Sequence, residues 1–360
     1  MDARHDMATR LRELLEIDAP IIQAPMAGVS TPEMAAAVSN AGALGSIGVG
    51  ATNAAGAQQM IAAFRARSHR TLNVNVFCHA PAHADHEREA KWTERLRPEF
   101  ARVDASPPVT LKEIYRSFVE DDAVRAVLIA DKPKVVSFHF GLPSRERIEA
   151  LHDAGIVLLG TATSIAEARA LVAADVDAVV AQGYEAGGHR GVFDPDAAAD
   201  ALGTLVLTRL LVREIDRPVI AAGGLMDGAG IAAALRLGAG AAQLGTAFVA
   251  CDESQADTGY RAALKSDAAH HTVMTRAISG RPARSLANRF TALGRDVRDV
   301  PDYPTAYDAG KALHAASKAK GDFGFGAQWA GQGAPFARAM GAGELVAVLR
   351  RELAGATGTE

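Results

Sequence analysis

Eight short apolar runs, spaced along 360 residues and mostly separated by helix-like stretches, constrain this chain more than any other feature. They are 21–26, 44–48, 72–77, 135–140, 156–160, 178–181, 219–222 and 241–244. These runs are apolar more than alternating, with more than one polar residue interleaved only in 72–77 and 135–140. Continuous apolar runs belong to parallel strands covered on both sides. Helix signals stand between them: Thr31 before Pro32, an Ala-rich stretch near 54–66, and Ser164 with Glu167 at capping-box spacing. Eight β/α units predict an α/β fold of the (β/α)8 TIM-barrel type. A doubly wound sheet is the alternative, but no G-x-G-x-x-G opens a helix after any of these runs.

Two intervals exceed a plain barrel loop. Residues 78–132 are charged at 85–97, break at Pro107-Pro108 and look helical over 110–130. Residues 251–330 also look largely helical, ahead of a closing helix near 342–354. The expected organisation is a barrel of residues 1–250 and 320–360 with a smaller helical domain, 251–319, inserted on the substrate side. Both insertions leave from strand C-termini, where barrel enzymes build their active sites.

Composition excludes several classes of function. A net charge of −4 gives no electrostatic footprint for nucleic acid. Cys78 and Cys251 are the only cysteines, too few for a disulfide framework and in keeping with a reducing compartment. No run reaches the roughly 18 apolar residues of a membrane span, and the polar N-terminus lacks a signal core. The expectation is a cytoplasmic protein with no nucleic-acid or membrane partner. Cys78, His79, His83 and His86 match no zinc spacing, and His86-Glu87-Arg88-Glu89-Ala90 lacks the second histidine of H-E-x-x-H, so no metal is expected.

The strand ends carry the chemistry. The stretch Gln182-Gly183-Tyr184-Glu185-Ala186-Gly187-Gly188-His189-Arg190 leaves the sixth strand. Its paired glycines free the backbone to approach a ligand, and His189 can exchange a proton near neutral pH. The fourth strand carries His139 and the third Asn75. Gly223-Gly224 and Gly245-Thr246 end the seventh and eighth, the usual phosphate site of a barrel. In the inserted region Tyr303, Tyr307 and Lys311 are spaced by four, with Tyr307 and Lys311 on one helical face. Two phenols and an ammonium suit a small anion. Gln328-Trp329-Ala330-Gly331-Gln332-Gly333 forms a loop able to close over the phosphate.

These residues together resemble the FMN-dependent nitronate monooxygenases, formerly called 2-nitropropane dioxygenases. The resemblance covers most of the chain. It rests on the 182–189 stretch and on Gln23-Ala24-Pro25-Met26-Ala27-Gly28, Asn73-Val74-Asn75, His139-Phe140-Gly141, Ala222-Gly223-Gly224 and Gln243-Leu244-Gly245-Thr246. Tyr303, Tyr307, Lys311 and the Trp329 loop look like the bacterial and fungal class that oxidises nitronates, as do Tyr115 and Tyr260. The resemblance implies FMN at the strand ends. Ala24, Pro25, Met26 and Asn75 would lie beside the isoalloxazine ring, and Gln182 and Gly187 near its polar edge. Gly223, Gly224, Gly245, Thr246, Gly331 and Gln332 would hold the phosphate, with Gln243 and Leu244 in the same motif.

The reaction implied by the resemblance is oxidation of a small alkyl nitronate such as propionate 3-nitronate by O2, with detoxification as the role and a monomer or homodimer as the assembly. His189 is the expected catalytic residue, as base or as cation; His139, Tyr303, Tyr307 and Lys311 are expected to bind substrate. Several of these motifs also occur in flavin-type enoyl-ACP reductases and NADH:quinone reductases, so an NAD(P)H-dependent FMN reductase is the alternative. A flavin-free barrel for a phosphorylated metabolite and a non-catalytic binding module are further readings.

Overall fold

The structure, a computed structural model, describes residues 3–358 except 199, 296 and 298. Its strands in chain order are β1 (Ile21–Gln23), β2 (Gly45–Gly48), β3 (Leu72–Phe77), β4 (Val135–His139), β5 (Val157–Ala162), β6 (Ala178–Gln182), β7 (Gly188–His189), β8 (Val219–Ala222), β9 (Ala241–Leu244), β10 (Thr272–Thr275) and β11 (Ala283–Leu286). Eight of them form one parallel sheet in the order β1-β9-β8-β6-β5-β4-β3-β2. An Ile22–Leu44 bridge joins its two edges, so the sheet closes into a (β/α)8 barrel. Closure removes the exposed edges that an open sheet would present.

Residue alternation explains how both faces are filled. Ile22, Val135, Leu159, Val180 and Ile220 gather inside the barrel, plugged by Leu11 and Leu15 of the helix Ala3–Leu15. Ile21, Ala221 and Ala242 face outward, onto a cluster with Leu345, Val346 and Leu349. Those leucines and valine belong to the closing helix Ala342–Thr357, which packs against Pro32–Asn40 and Gly228–Arg236 and so completes the outer ring. Each fully buried large aliphatic side chain of this kind stabilises the fold by about 1.5–3 kcal/mol.

Local signals act as expected at most helix starts. Thr31 accepts from the Met34 N–H at 3.0 Å, with Pro32 in the first helical position. The capping box at Ser164 is only half formed. Ser164 Oγ accepts from Glu167 N at 3.2 Å, but the Glu167 carboxylate turns to Thr163 N and, through its other oxygen, to Phe193 N. The carboxylate thereby ties the chain beyond β7 to the barrel.

The insertions depart from the helical expectation. Residues 110–130 are helical only over Asp122–Asp131, because the stretch before it is occupied in packing on the site. The 251–319 segment contains helices Thr258–Leu264, Arg289–Leu293 and Thr305–Ala319, but also β10 and β11. These two strands pair antiparallel and recruit β7 into a three-stranded sheet. The helix His86–Ala101 from the first insertion shares a core with the second through Trp92, Leu96, Phe100, Phe290 and Leu313. We propose that 251–319 works as one unit with that helix, because neither could bury this core alone.

Buried polar struts hold the first strand end. Gln23 lies fully buried, accepting from Ser46 N at 2.8 Å and donating to Ser30 Oγ at 2.8 Å. Ser30 Oγ in turn accepts from Met26 N at 3.0 Å, which shapes the 24–30 loop. Gln23→Leu would leave the Ser46 N–H buried without an acceptor, so denaturant unfolding should report a loss of about 1–3 kcal/mol. An unchanged midpoint would show that this strut carries no stability.

Candidate active site

The C-terminal ends of the barrel strands open into a cavity of ≈ 710 Å³, roofed by the two insertions. That volume lies within the ~300–1,000 Å³ typical of cofactor and ligand sites. Its wall takes Ala24, Pro25 and Met26 after β1, Asn75 from β3 and His139 from β4. Gln182, Gly187 and His189 follow β6, Gly223 and Gly224 follow β8, and Gln243, Gly245 and Thr246 come from β9 and its end. Tyr303, Tyr307 and Lys311 reach in from the helix Thr305–Ala319 and its start, and Gly331 from the closing loop. Two expected residues do not line it: Leu244 is packed in the outer core, and Gln332 is exposed, donating its backbone N–H to Glu185 O at 2.9 Å.

One end of the cavity is a backbone cradle. Gly223 and Gly224 have φ of 125° and 70°, values a side-chain-bearing residue rarely adopts. The N–H groups of Gly224, Gly245 and Thr246 have no protein acceptor among the described residues. Thr246 is buried, Gly245 half-buried and Gly224 exposed at the cavity, so together the three N–H groups form a donor set that suits an anionic ligand. Thr246 Oγ1 accepts from Gly331 N at 3.0 Å, leaving its own proton to donate. A Cβ on Gly187 would meet Gly331 N at 2.4 Å, so only glycine lets the 329–333 loop close there. The two glycines of the 187–188 pair thus serve different ends, since only Gly188 takes positive φ, at 75°.

At the other end stands His189. β7 pairs with β11, placing His189 opposite Ala283. Its carbonyl accepts from Gln182 Nε2 at 3.0 Å and from His139 Nε2 at 3.2 Å. His139 Nδ1 lies 3.2 Å from Thr161 Oγ1. With Nε2–H given to the carbonyl, Nδ1 accepts the Thr161 proton, so both nitrogens of His139 are engaged. Burial, offset in part by that carbonyl, lowers its pKa to about 4. His139 therefore braces His189 and carries no charge at neutral pH.

The His189 ring itself lies among aromatic rings, with centroids 4.9 Å from Trp329, 5.4 Å from Tyr303 and 5.6 Å from Phe140. Its Nε2 is 2.8 Å from Ser279 Oγ. Ser279 Oγ lies 3.4 Å from Arg281 O; with its proton given there, Nε2–H donates to Ser279 and Nδ1 keeps its lone pair. Burial first, then the neighbouring basic side chains His139, Arg281 and His79, which would repel a second proton, lower the His189 pKa to about 3. It is a neutral imidazole with one free nitrogen.

The phenols are neutral as well. Burial raises Tyr303 well above the usual phenol value and Tyr307 to about 12, so both remain hydrogen-bond donors. Tyr115 packs on both, with ring centroids at 6.2 and 5.9 Å. Tyr260 donates to Trp329 O and holds the closing loop. Lys311 Nζ sits 5.1 Å from the Tyr115 ring centre and 5.4 Å from that of Tyr307, exposed, with no carboxylate partner among the described residues. The Cys78–His86 stretch does not converge: Cys78 and His79 are buried, His83 and His86 exposed. Among the described residues no cluster of three or more His, Cys, Asp or Glu could hold a metal.

Ser279, Phe140 and Arg281 escape sequence reasoning as site residues. Nothing in Ser279-Gly280-Arg281-Pro282-Ala283 distinguishes it from a surface turn until β11 meets β7. Phe140 is visible only inside a motif. Its φ of 74°, rare for a bulky residue, turns it back into the cavity directly after β4.

Buried His79, with His139 and His189 half-buried on the cavity wall, makes a stability prediction. In the unfolded chain they bind protons near pH 6.5, while folded His79, His139 and His189 do so only near 4, 4 and 3. Between those limits the unfolded state holds more protons, so stability present above pH 6.5 is lost as pH falls. The melting temperature should drop steadily from about pH 7 to about pH 5 and drop less in His79→Phe. A flat profile would contradict neutral burial.

Comparison with known proteins agrees with this geometry. The sequence pattern of the nitronate monooxygenase family matches residues 8–352. A nitronate monooxygenase of Paraburkholderia phytofirmans is 62% identical over 95% of this chain and 94% of its own length. Another from Pseudomonas aeruginosa is 52% identical over 97% and 100%. Among solved structures, a nitroalkane oxidase from Streptomyces ansochromogenes superposes with a TM-score of 0.88 at 43% identity, covering 97% of this chain and 99% of its own. FabK from Thermotoga maritima gives 0.73 at 29% identity, with 97% of each chain covered. This chain belongs to the nitronate monooxygenase family.

Proposed function

We propose that this protein oxidises small alkyl nitronates with O2, using FMN held in the cavity at the barrel strand ends. The observation that carries this reading is the pairing of a free-N–H cradle with a neutral, unshared His189 Nδ1 in one cavity. Gly223, Gly224, Gly245 and Thr246 would hold the phosphate, with Gly331 closing over it. Ala24, Pro25, Met26, Asn75 and Gln182 would border the ring system. FMN, when bound, supplies the electron acceptor that substrate reduces and O2 reoxidises.

The chain's own residues then have definite tasks. A nitronate is the anion left when a nitroalkane loses its α-proton. Tyr303 and Tyr307 offer phenolic protons to its oxygens, and Lys311 offers an ammonium at the mouth. That ammonium suits a substrate with a second anionic group, as in propionate 3-nitronate. His189 Nδ1 can accept the α-proton of a neutral nitroalkane; for a nitronate it needs only to share a proton with the anion. A negative substrate beside it raises its basicity, because the imidazolium gains an opposite charge. The aromatic wall keeps water from these contacts.

His189→Asn separates the two tasks. With a neutral nitroalkane, kcat/KM should fall by about 10²–10⁴, the usual worth of a positioned base. With the preformed nitronate the loss should be much smaller, and the flavin released from both proteins should chromatograph as FMN. Equal losses for the two substrates would show that His189 is not a base, and unchanged turnover of both would remove it from the reaction.

A further inference from the structure

Arg281 is a buried cation whose position the described interactions do not explain by stability alone. It is 4% exposed and pairs with no carboxylate among the described residues. Its guanidinium donates to Val192 O, while Nε is buried without a partner. Taking a charge out of water and leaving one donor unsatisfied costs stability, which neutral pairing would avoid. Its main contact is the Phe140 ring, 4.4 Å from the guanidinium carbon to the centroid. Phe140 in turn meets His139 at 4.5 Å, Tyr303 at 5.4 Å and His189 at 5.6 Å. One aromatic ring, held in an unusual backbone conformation, therefore contacts both a fixed positive charge and the His189 imidazole.

We propose that Arg281 is a positioning residue for His189: from beside the Phe140 ring it supplies a permanent positive charge that adds to burial in disfavouring the imidazolium until an anion arrives. The assignment rests on the role proposed above for His189. The groups around His189 leave Arg281 as the buried permanent charge beside this ring. His139 stands on β4 and His79 behind β3, both neutral. Tyr303 and Tyr307 come from the helix Thr305–Ala319 and its start, both protonated phenols, with Lys311 exposed at the mouth. Ser279 and Trp329 are uncharged, and Arg190 on the neighbouring position turns to Gln182 O and Gly183 O at 3.1 and 2.6 Å. The acidic residues that act on Arg281 lie on the 194–196 turn, where Asp196 is taken by Arg276 at 2.6 Å. Burial lowers Arg281 only to about 10, so it stays charged at neutral pH. The same charge that repels a proton from His189 attracts an anionic substrate, so the site gains affinity for the nitronate without first protonating its base.

The test is the protonation midpoint of His189 in flavin-loaded protein, read by NMR of labelled histidine and assigned with His189→Asn. In the wild type the ring should remain neutral well below pH 6.5. Arg281→Met should raise the midpoint by about one unit, tenfold in proton affinity. Arg281→Lys, which retains the charge, should keep it low. The acid limb of kcat/KM should move with the midpoint. A midpoint unchanged in a folded Arg281→Met protein overturns the proposal; if that variant does not fold, Arg281→Gln is judged by the same criterion. A wild-type midpoint at or above the ordinary value overturns it without any variant. A midpoint that shifts while the rate profile stays put supports the role of Arg281 and counts instead against His189 as the reacting group.

Discussion

Two backbone pairings, His189 with Ala283 and Gly188 with Arg284, hold the site together. They join a loop of the barrel to a strand of the insertion, and among the described residues β7 has no other strand partner. Through them the imidazole is fixed from both sides. Gln182 and His139, from the barrel, bond its carbonyl, while Ser279, from the insertion, bonds its ring. Arg190 N adds a bond to Pro282 O at 2.8 Å. A side chain restrained at backbone and ring by separate elements loses its rotamer freedom during folding and not during the reaction, the form of preorganisation that catalysis requires.

The electrostatics of the cavity follow from what surrounds this junction. Burial keeps the imidazoles and phenols neutral, so they can donate or accept without first changing charge. Behind the junction Arg190, Arg281 and Arg284 are all buried and each donates to main-chain carbonyls, with Glu167 and Glu185 near the first and Glu185 near the last. Among the described residues Arg281 has no carboxylate among its hydrogen-bond or ion-pair partners or its ring contacts, and alone of the three it has no glutamate beside it. On the reading proposed above, an anionic nitronate would gain from that charge beside His189.

Much of this is legible in the sequence because it is local. Apolar runs buried on both faces appear as such in the chain, and the eight strands fall where those runs stand. The glycines at 187–188 and 223–224 are readable because close approach and positive φ admit little else. The roof is less legible. β10 and β11 are short and mixed in polarity, and pair with each other across a seven-residue connection that carries no hairpin signal, while β7 joins them from some ninety residues away in the chain. Leu244 stands in a recognisable motif, yet strand alternation turns it into the outer core while Gln243 faces the cavity. Arg281 gives no local sign at all, since its meaning depends on a ring that follows β4. His139 stands at the strand end its motif indicates but, with both nitrogens engaged, braces the strand and does not offer a charge.

The central claim is that an anionic nitronate delivers electrons in this cavity without help from a nicotinamide. Anaerobic mixing of the flavin-loaded protein with a small alkyl nitronate, followed at about 450 nm where oxidised flavin absorbs, tests it most directly. Rapid bleaching by the nitronate alone, reversed on admitting O2, is the predicted result. Bleaching by NADH together with no response to the nitronate would contradict the account and assign the same scaffold to reductase chemistry.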